Sequence, residues 1–138
     1  MKLMLDTNIV VDIISRREGY EDSLRLLKHC ELGNVSGFVS AITVTDVMYI
    51  LRKYISPSFV REAVQTLLLI VDVSNILKSD IISAFLSDMK DYEDAVQASC
   101  AERMRADYIV TRNLKDFELS AVPAILPSKA LKLIRRKQ

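Results

Sequence analysis

Five aspartates stand at positions where a carboxylate invites a chemical explanation: Asp6, Asp46, Asp91, Asp94 and Asp116. Asp6 ends the apolar run Leu3-Met4-Leu5, where a carboxylate costs stability unless something pairs with it. Asp46 lies among Ile42, Val44, Val47, Met48, Ile50 and Leu51; its poor helix propensity means that it faces solvent or is held for a purpose. Asp91 and Asp94 are spaced to share one face near a helix start, while Glu93 between them is expected to face solvent. Asp116 sits just past a short apolar run, beside Phe117. Each residue has an ordinary explanation by itself: a cap, a solvated face, compensation of a helix dipole, a surface turn. Brought to one spot, these groups would repel and raise each other's pKa. A hard divalent cation removes that penalty. Magnesium takes oxygen ligands and is commonly held by one or two carboxylates, several waters and a substrate phosphate. Such a site polarises a phosphoryl oxygen and activates water for attack.

Convergence requires a scaffold, and the hydrophobic pattern supplies one. Short, continuously apolar runs at residues 2–5, 35–40, 108–110 and 124–126 read as strands. Between them lie amphipathic helical stretches. The first helix runs from Thr7 to Arg16, and the second covers residues 18–32, with Leu24, Leu27 and Cys30 inward and a stop at Gly33-Asn34. Residues 43–54 form a third, and Ser56-Pro57 opens a fourth. Residues 67–73 divide between a helix end and a strand, Ser74 is expected to cap a helix reaching about Ser87, and Asp91 to cap one over 92–105. Ser128 begins the last. This alternation predicts a single α/β domain over residues 1–138, a three-layer α/β/α sandwich with a mainly parallel central sheet. Ligands in such sheets gather beyond the carboxyl ends of the strands. Asp6-Thr7-Asn8 and Thr111-Arg112-Asn113 stand there.

Composition narrows the function classes. The chain has 138 residues, half of them hydrophobic, with three Gly and three Pro, which excludes a low-complexity chain and argues against a turn-rich sandwich or barrel. No apolar run reaches the roughly 18 residues of a membrane span, and a signal-peptide pattern is missing, so a cytoplasmic protein is expected. Cys30 and Cys100 have no metal-ligand spacing and are expected to be buried thiols. His29, the lone histidine, argues against a histidine-based nuclease or a zinc site. Tyr49, Tyr54, Tyr92 and Tyr108 are expected to be core or helix-packing aromatics. Residues 127–138 carry five basic side chains and no acid. That cluster suits either the end of a helix or a patch for an anionic partner such as RNA.

Four segments, "LDTNIVVD", "SAITVTDVMYIL", "KDYEDAVQASCAERMRADYIVTRNLKDF" and "VPAILPSKAL", resemble the PIN domain family in its order and over nearly the whole chain. The likeness is to its stand-alone, VapC-like toxins. It implies metal-dependent hydrolysis of RNA phosphodiesters with Mg2+ or Mn2+. The implied partners are single-stranded regions of RNA, an antitoxin protein and a second copy of the chain, joined through apolar surface among the early helices. Residue by residue, the resemblance makes Asp6, Asp46, Asp94 and Asp116 catalytic, with Asp6 and Asp94 holding metal and Asp91 assisting. Asn8 and Thr111 support these by hydrogen bonds, and Arg112, Asn113 and Lys115 stand toward the substrate. Two departures from the family pattern are visible. Asp46 stands where many members have Glu, and Asn113 where some have Asp, which leaves Asp116 as the nearest carboxylate. Those departures motivate an alternative, a weak or inactive PIN-fold module that binds nucleic acid or protein. A phosphoaspartyl phosphatase would want Asp in place of Asn8, and a receiver domain using Asp72 would want paired acids after the first strand.

Overall fold

The strands in the middle of the sheet are buried along nearly their whole length. In the computed structural model, which describes residues 1–138, β1 (Lys2–Leu5) is flanked by β2 (Ser36–Ser40) and β4 (Tyr108–Val110). With β3 (Asp72–Ser74) and β5 (Ala124–Ile125) outermost, the order is β3-β2-β1-β4-β5 and every pairing is parallel. Side chains alternate across a strand, so Leu3 and Leu5 enter one core while Met4 enters another. The larger core holds 20 buried residues under α1 (Thr7–Ser15), α2 (Tyr20–Glu31), α3 (Ala41–Leu51), α4 (Pro57–Leu67) and α7 (Pro127–Lys137). On the opposite face, Ala98, Cys100 and Ala101 of α6 (Tyr92–Arg103) cover Met4, Phe38 and Ile109, and α5 (Lys78–Leu86) packs outside α6. This is the three-layer α/β/α sandwich with an all-parallel sheet.

Local chemistry explains most boundaries. Asp6, Ser40, Ser56 and Asp91 each accept a backbone N–H at the start of a helix, and Pro57 and Pro127 open helices with the fixed φ those positions use. Helix α1 stops at Arg16, in the left-handed conformation at φ 54°. A short 3-10 turn (Leu114–Phe117) follows β4 and buries Phe117.

Several expectations are corrected. Ser74 ends β3, paired with Ser40, and its buried hydroxyl meets the Cys100 thiol at 3.3 Å instead of capping a helix; α5 begins at Lys78. The 67–73 stretch resolves into the end of α4 at Leu67 and the start of β3 at Asp72. Leu24 is exposed, because Ser23, Leu26, Leu27 and Cys30 form the inner face of α2. Tyr49 and Tyr54 are not core residues but stand 65% and 76% exposed. Tyr92 does pack, its ring 4.6 Å from that of Phe85. Both cysteines are buried and unpaired.

Gly37 shows how tightly α2 lies on the sheet. A Cβ there would meet the Cys30 sulfur at 2.7 Å and Val71 at 3.3 Å. Gly37→Ala is therefore expected to destabilise the fold by about 1–3 kcal/mol. The measurement is a lower urea midpoint at unchanged slope, partly restored when Cys30→Ala makes room.

Candidate active site

Where β1 ends, Asp6 closes the strand and caps α1 with one carboxylate. Its Oδ1 accepts the Thr7 N–H at 2.8 Å, and its Oδ2 accepts from Asn8 Nδ2 at 2.8 Å and from the Thr111 hydroxyl at 2.9 Å. Burial lifts its pKa above the ordinary value, opposed by the hydrogen bonds from Thr111, Thr7 and Asn8, while the Asp116 charge adds to the rise. The partners come from neighbouring strands: Leu5 pairs with Val110, so the residues that follow them must meet. Asn8 Oδ1 accepts the Arg112 N–H at 3.3 Å, and Thr111 Oγ1 accepts the Asn113 N–H at 3.1 Å. Asn8 and Thr111 thus orient Asp6 and join the two loops.

The facing wall comes from α6 and α3. The Asp91 carboxylate accepts the Asp94 N–H at 2.9 Å and so caps the start of α6. Asp94 is half-buried. Burial first, then the charges of Asp91, Asp6 and Asp116, push its pKa to about 7. Glu93 corrects the expectation that it merely faces solvent. It is exposed, yet its carboxyl lines the same cavity and shares a hydrogen bond with Asp46 of α3. That bond, burial and the neighbouring charges of Asp46, Asp91 and Asp94 push Glu93 to about 7.

These groups surround a cavity of about 230 Å3 lined by Asp6, Asp46, Glu93, Asp94 and Asp116, with Asn8, Asn113, Arg17 and Gln97 also on its wall. An adjoining depression of about 180 Å3 shares Asp94 and Asp116 and adds Lys90, Asp91 and Lys115. Asp91 and Lys115 therefore belong to the second lobe. Arg112 turns elsewhere: its guanidinium lies 3.4 Å from buried Asp12, in a different depression, and only its backbone joins the loop network. The larger groove between α1, α2 and α4, about 340 Å3, is mostly aliphatic and offers no carboxylate cluster.

Sequence reasoning missed Glu93, Gln97, Arg17 and Asp12. Asp12, Glu93 and Gln97 lie inside the segments that carry the family resemblance and Arg17 outside them; Asp12's partners Arg112 and Arg17 are brought to it by the fold.

The donor set suits a hard cation. All candidate ligands are oxygens, and the raised pKa values of Asp94 and Glu93 mark negative charge that nothing in the protein compensates. No group of three such side chains is drawn together closely enough to enclose an ion. Mg2+ is commonly held by one or two carboxylates and keeps several waters, so a closed cage is not required for it.

Comparison with known proteins agrees with the fold. Solved structures of similar fold include VapBC2 from Rickettsia felis bound to a promoter DNA fragment, at 20% identity and TM-score 0.71, covering 91% of this chain and 98% of that one. A toxin–antitoxin complex from Klebsiella pneumoniae matches at 25% identity and TM-score 0.68, covering 91% and 97%. VapC20 from Mycobacterium tuberculosis, a sarcin–ricin-loop-cleaving toxin, matches at 11% identity and TM-score 0.64, covering 78% and 86%. No curated protein sequence matches the chain. No helix is long and apolar enough to cross a membrane. A family model described as PIN domain matches residues 2–115, which takes in Asp6 and all of α3 and α6 and ends one residue before Asp116; the chain belongs to the PIN domain family.

Proposed function

We propose that this protein is a Mg2+- or Mn2+-dependent endoribonuclease and the toxin of a toxin–antitoxin pair. The observation that carries the reading is the gathering of Asp6, Asp46, Glu93, Asp94 and Asp116 around one cavity beyond the carboxyl ends of parallel strands. Its uncompensated charge is what a divalent ion neutralises. Asp6 and Asp94 would hold that ion, which when bound polarises a phosphoryl oxygen and lowers the pKa of water.

The chain's own groups divide the remaining work. Asn8 and Thr111 keep Asp6 in an acceptor orientation through two hydrogen bonds to Oδ2. Glu93, pushed up to about 7 chiefly by its hydrogen bond with Asp46, stands as a proton carrier beside the cavity. Lys115 and Lys90, in the adjoining lobe, neutralise the RNA strand that passes Asp94 and Asp116. Asp91 acts through α6, whose start it caps. An open, two-lobed groove suits a single-stranded segment, and the sarcin–ricin-loop cleavage named for one structural neighbour supports RNA as substrate. The toxin–antitoxin complexes among the neighbours support a protein antitoxin that covers this groove.

The test is cleavage of a panel of single-stranded and structured RNAs with Mn2+, Mg2+ or EDTA. Cutting with either ion and its loss in EDTA is the expected result. Binding of RNA without cutting, indifferent to EDTA, would overturn the nuclease reading and favour a binding module, to which Asn113 in place of an acid would then be the clue.

A further inference from the structure

Beneath the carboxylates lies a polar network that the site as described leaves unused. Gln97, one turn beyond Asp94 on α6, is 2% exposed and lines the carboxylate cavity. Its Nε2 donates to the Thr43 hydroxyl at 2.8 Å and reaches the Thr7 hydroxyl at 3.4 Å. The two threonine hydroxyls are themselves 2.9 Å apart. Thr7 follows Asp6, and Thr43 lies one turn before Asp46, so Gln97 ties together the three elements that carry Asp6, Asp46 and Asp94. Its Oε1, however, is buried with no hydrogen-bond partner. An orphaned buried acceptor is costly, and such groups in native proteins mark a missing partner.

The chemistry of that partner is constrained. The side chains are too far apart to enclose an ion, so an ion held here keeps several waters. A water bound to a cation spends its lone pair on the metal and presents only donors. Each such water needs an acceptor, and Gln97, on the cavity wall with its amide held by Thr43, has one unused in Oε1. A neutral amide also adds no charge to a crowded acidic site. Resting on the nuclease reading above, we infer that Gln97 is an outer-sphere positioning residue, accepting a hydrogen bond from a water of the divalent ion's hydration shell.

The experiment measures Mn2+ binding to the metal-free protein, without RNA, from the electron paramagnetic resonance signal of free Mn2+. Wild type is compared with Gln97→Met, Gln97→Glu, Thr43→Val and Asp94→Asn, each checked for cooperative melting. Gln97→Met is expected to weaken Mn2+ about 10-fold, the usual range for an outer-shell partner. Thr43→Val, which frees the amide, should weaken it by about 3-fold, on the same basis. Gln97→Glu, which keeps the acceptor, should bind at least as tightly as wild type. Unchanged affinity in Gln97→Met overturns the inference while leaving the Asp94-dependent site intact. Should Gln97→Met fail to fold, weakened binding in Gln97→Glu overturns it equally. Wild type that shows no Asp94-dependent Mn2+ binding overturns both this inference and the metal-dependent reading.

Discussion

Asp94→Asn should lower metal-dependent RNA cleavage by about 10³-fold or more, equivalent to roughly 4 kcal/mol of transition-state stabilisation, and should at the same time make the metal-free protein more heat-stable. Both effects come from one cause. Asp94 faces Asp6, Asp91 and Asp116 in a half-buried setting that lifts its pKa from 3.8 to about 7. Between those values the folded protein keeps a proton that the unfolded chain has released. Stability is therefore fully present in acid and is lost as pH rises through about 7. At pH 8 wild type carries this repulsion and the amide variant does not, so its melting temperature should be higher by about 3 °C. Near pH 4 the difference should vanish. Saturating Mn2+ should raise the melting temperature of wild type, by binding the folded form alone, and should do little for the variant. The paired readout is a cleavage assay and a thermal melt across pH, with and without Mn2+. Full activity in Asp94→Asn would sink the assignment. Such an exchange of stability against activity is what a charge cluster built for an ion should display.

Arg103→Met should produce the largest loss of stability, about 3–5 kcal/mol, because it strands a buried carboxylate. Asp80 is 2% exposed, and both its oxygens accept from Arg103: Nε lies 3.1 Å from each, and Nη2 2.9 Å from Oδ2. Asp80 also accepts the Leu77 N–H at 2.9 Å, at the start of α5, while Nη2 of Arg103 donates to the Asn75 carbonyl at 2.6 Å. One guanidinium thus joins the end of α6 to the start of α5 and the loop after β3, and Asp80 in turn raises the pKa of Arg103. Total stabilities of such domains are about 5–15 kcal/mol, so a marginal protein would unfold. Urea denaturation measures the loss. The double variant Arg103→Met with Asp80→Leu should recover much of it, since a buried pair replaced by apolar groups is often neutral or better. A loss below about 1 kcal/mol in Arg103→Met would show that the pair is not buried in solution.

Much of this architecture is legible along the chain because its causes are local. The continuous apolar runs at β1 and β4 announce strands covered on both faces, and helices between them impose parallel crossovers. Asp6 and Asp91 sit at helix starts because each caps its own helix, an interaction spanning three residues or fewer. Asp6 and Asp116 follow strands and Asp94 stands in the first turn of a helix, as the same pattern predicts, and all three line one cavity. Ser74 shows the limit. A serine before a helical stretch reads as a cap, but pairing with Ser40 and a contact with Cys100 claim it for the sheet.

The sequence by itself determined the layered α/β/α class and, through the order of its motifs, the family and the loops that carry the acids. Tertiary structure alone decided which side chains face each other. Asp46 reaches Glu93, Arg112 is drawn to Asp12, Asp80 is buried under Arg103, and Gln97 bridges Thr43 and Thr7 only because helices distant in the chain pack side by side. The physical reason is range. Propensity, capping and hydrophobic period act over one or two turns, whereas pairing of buried charged and polar groups is set by desolvation across packed elements, where a partner must be found wherever the fold puts one.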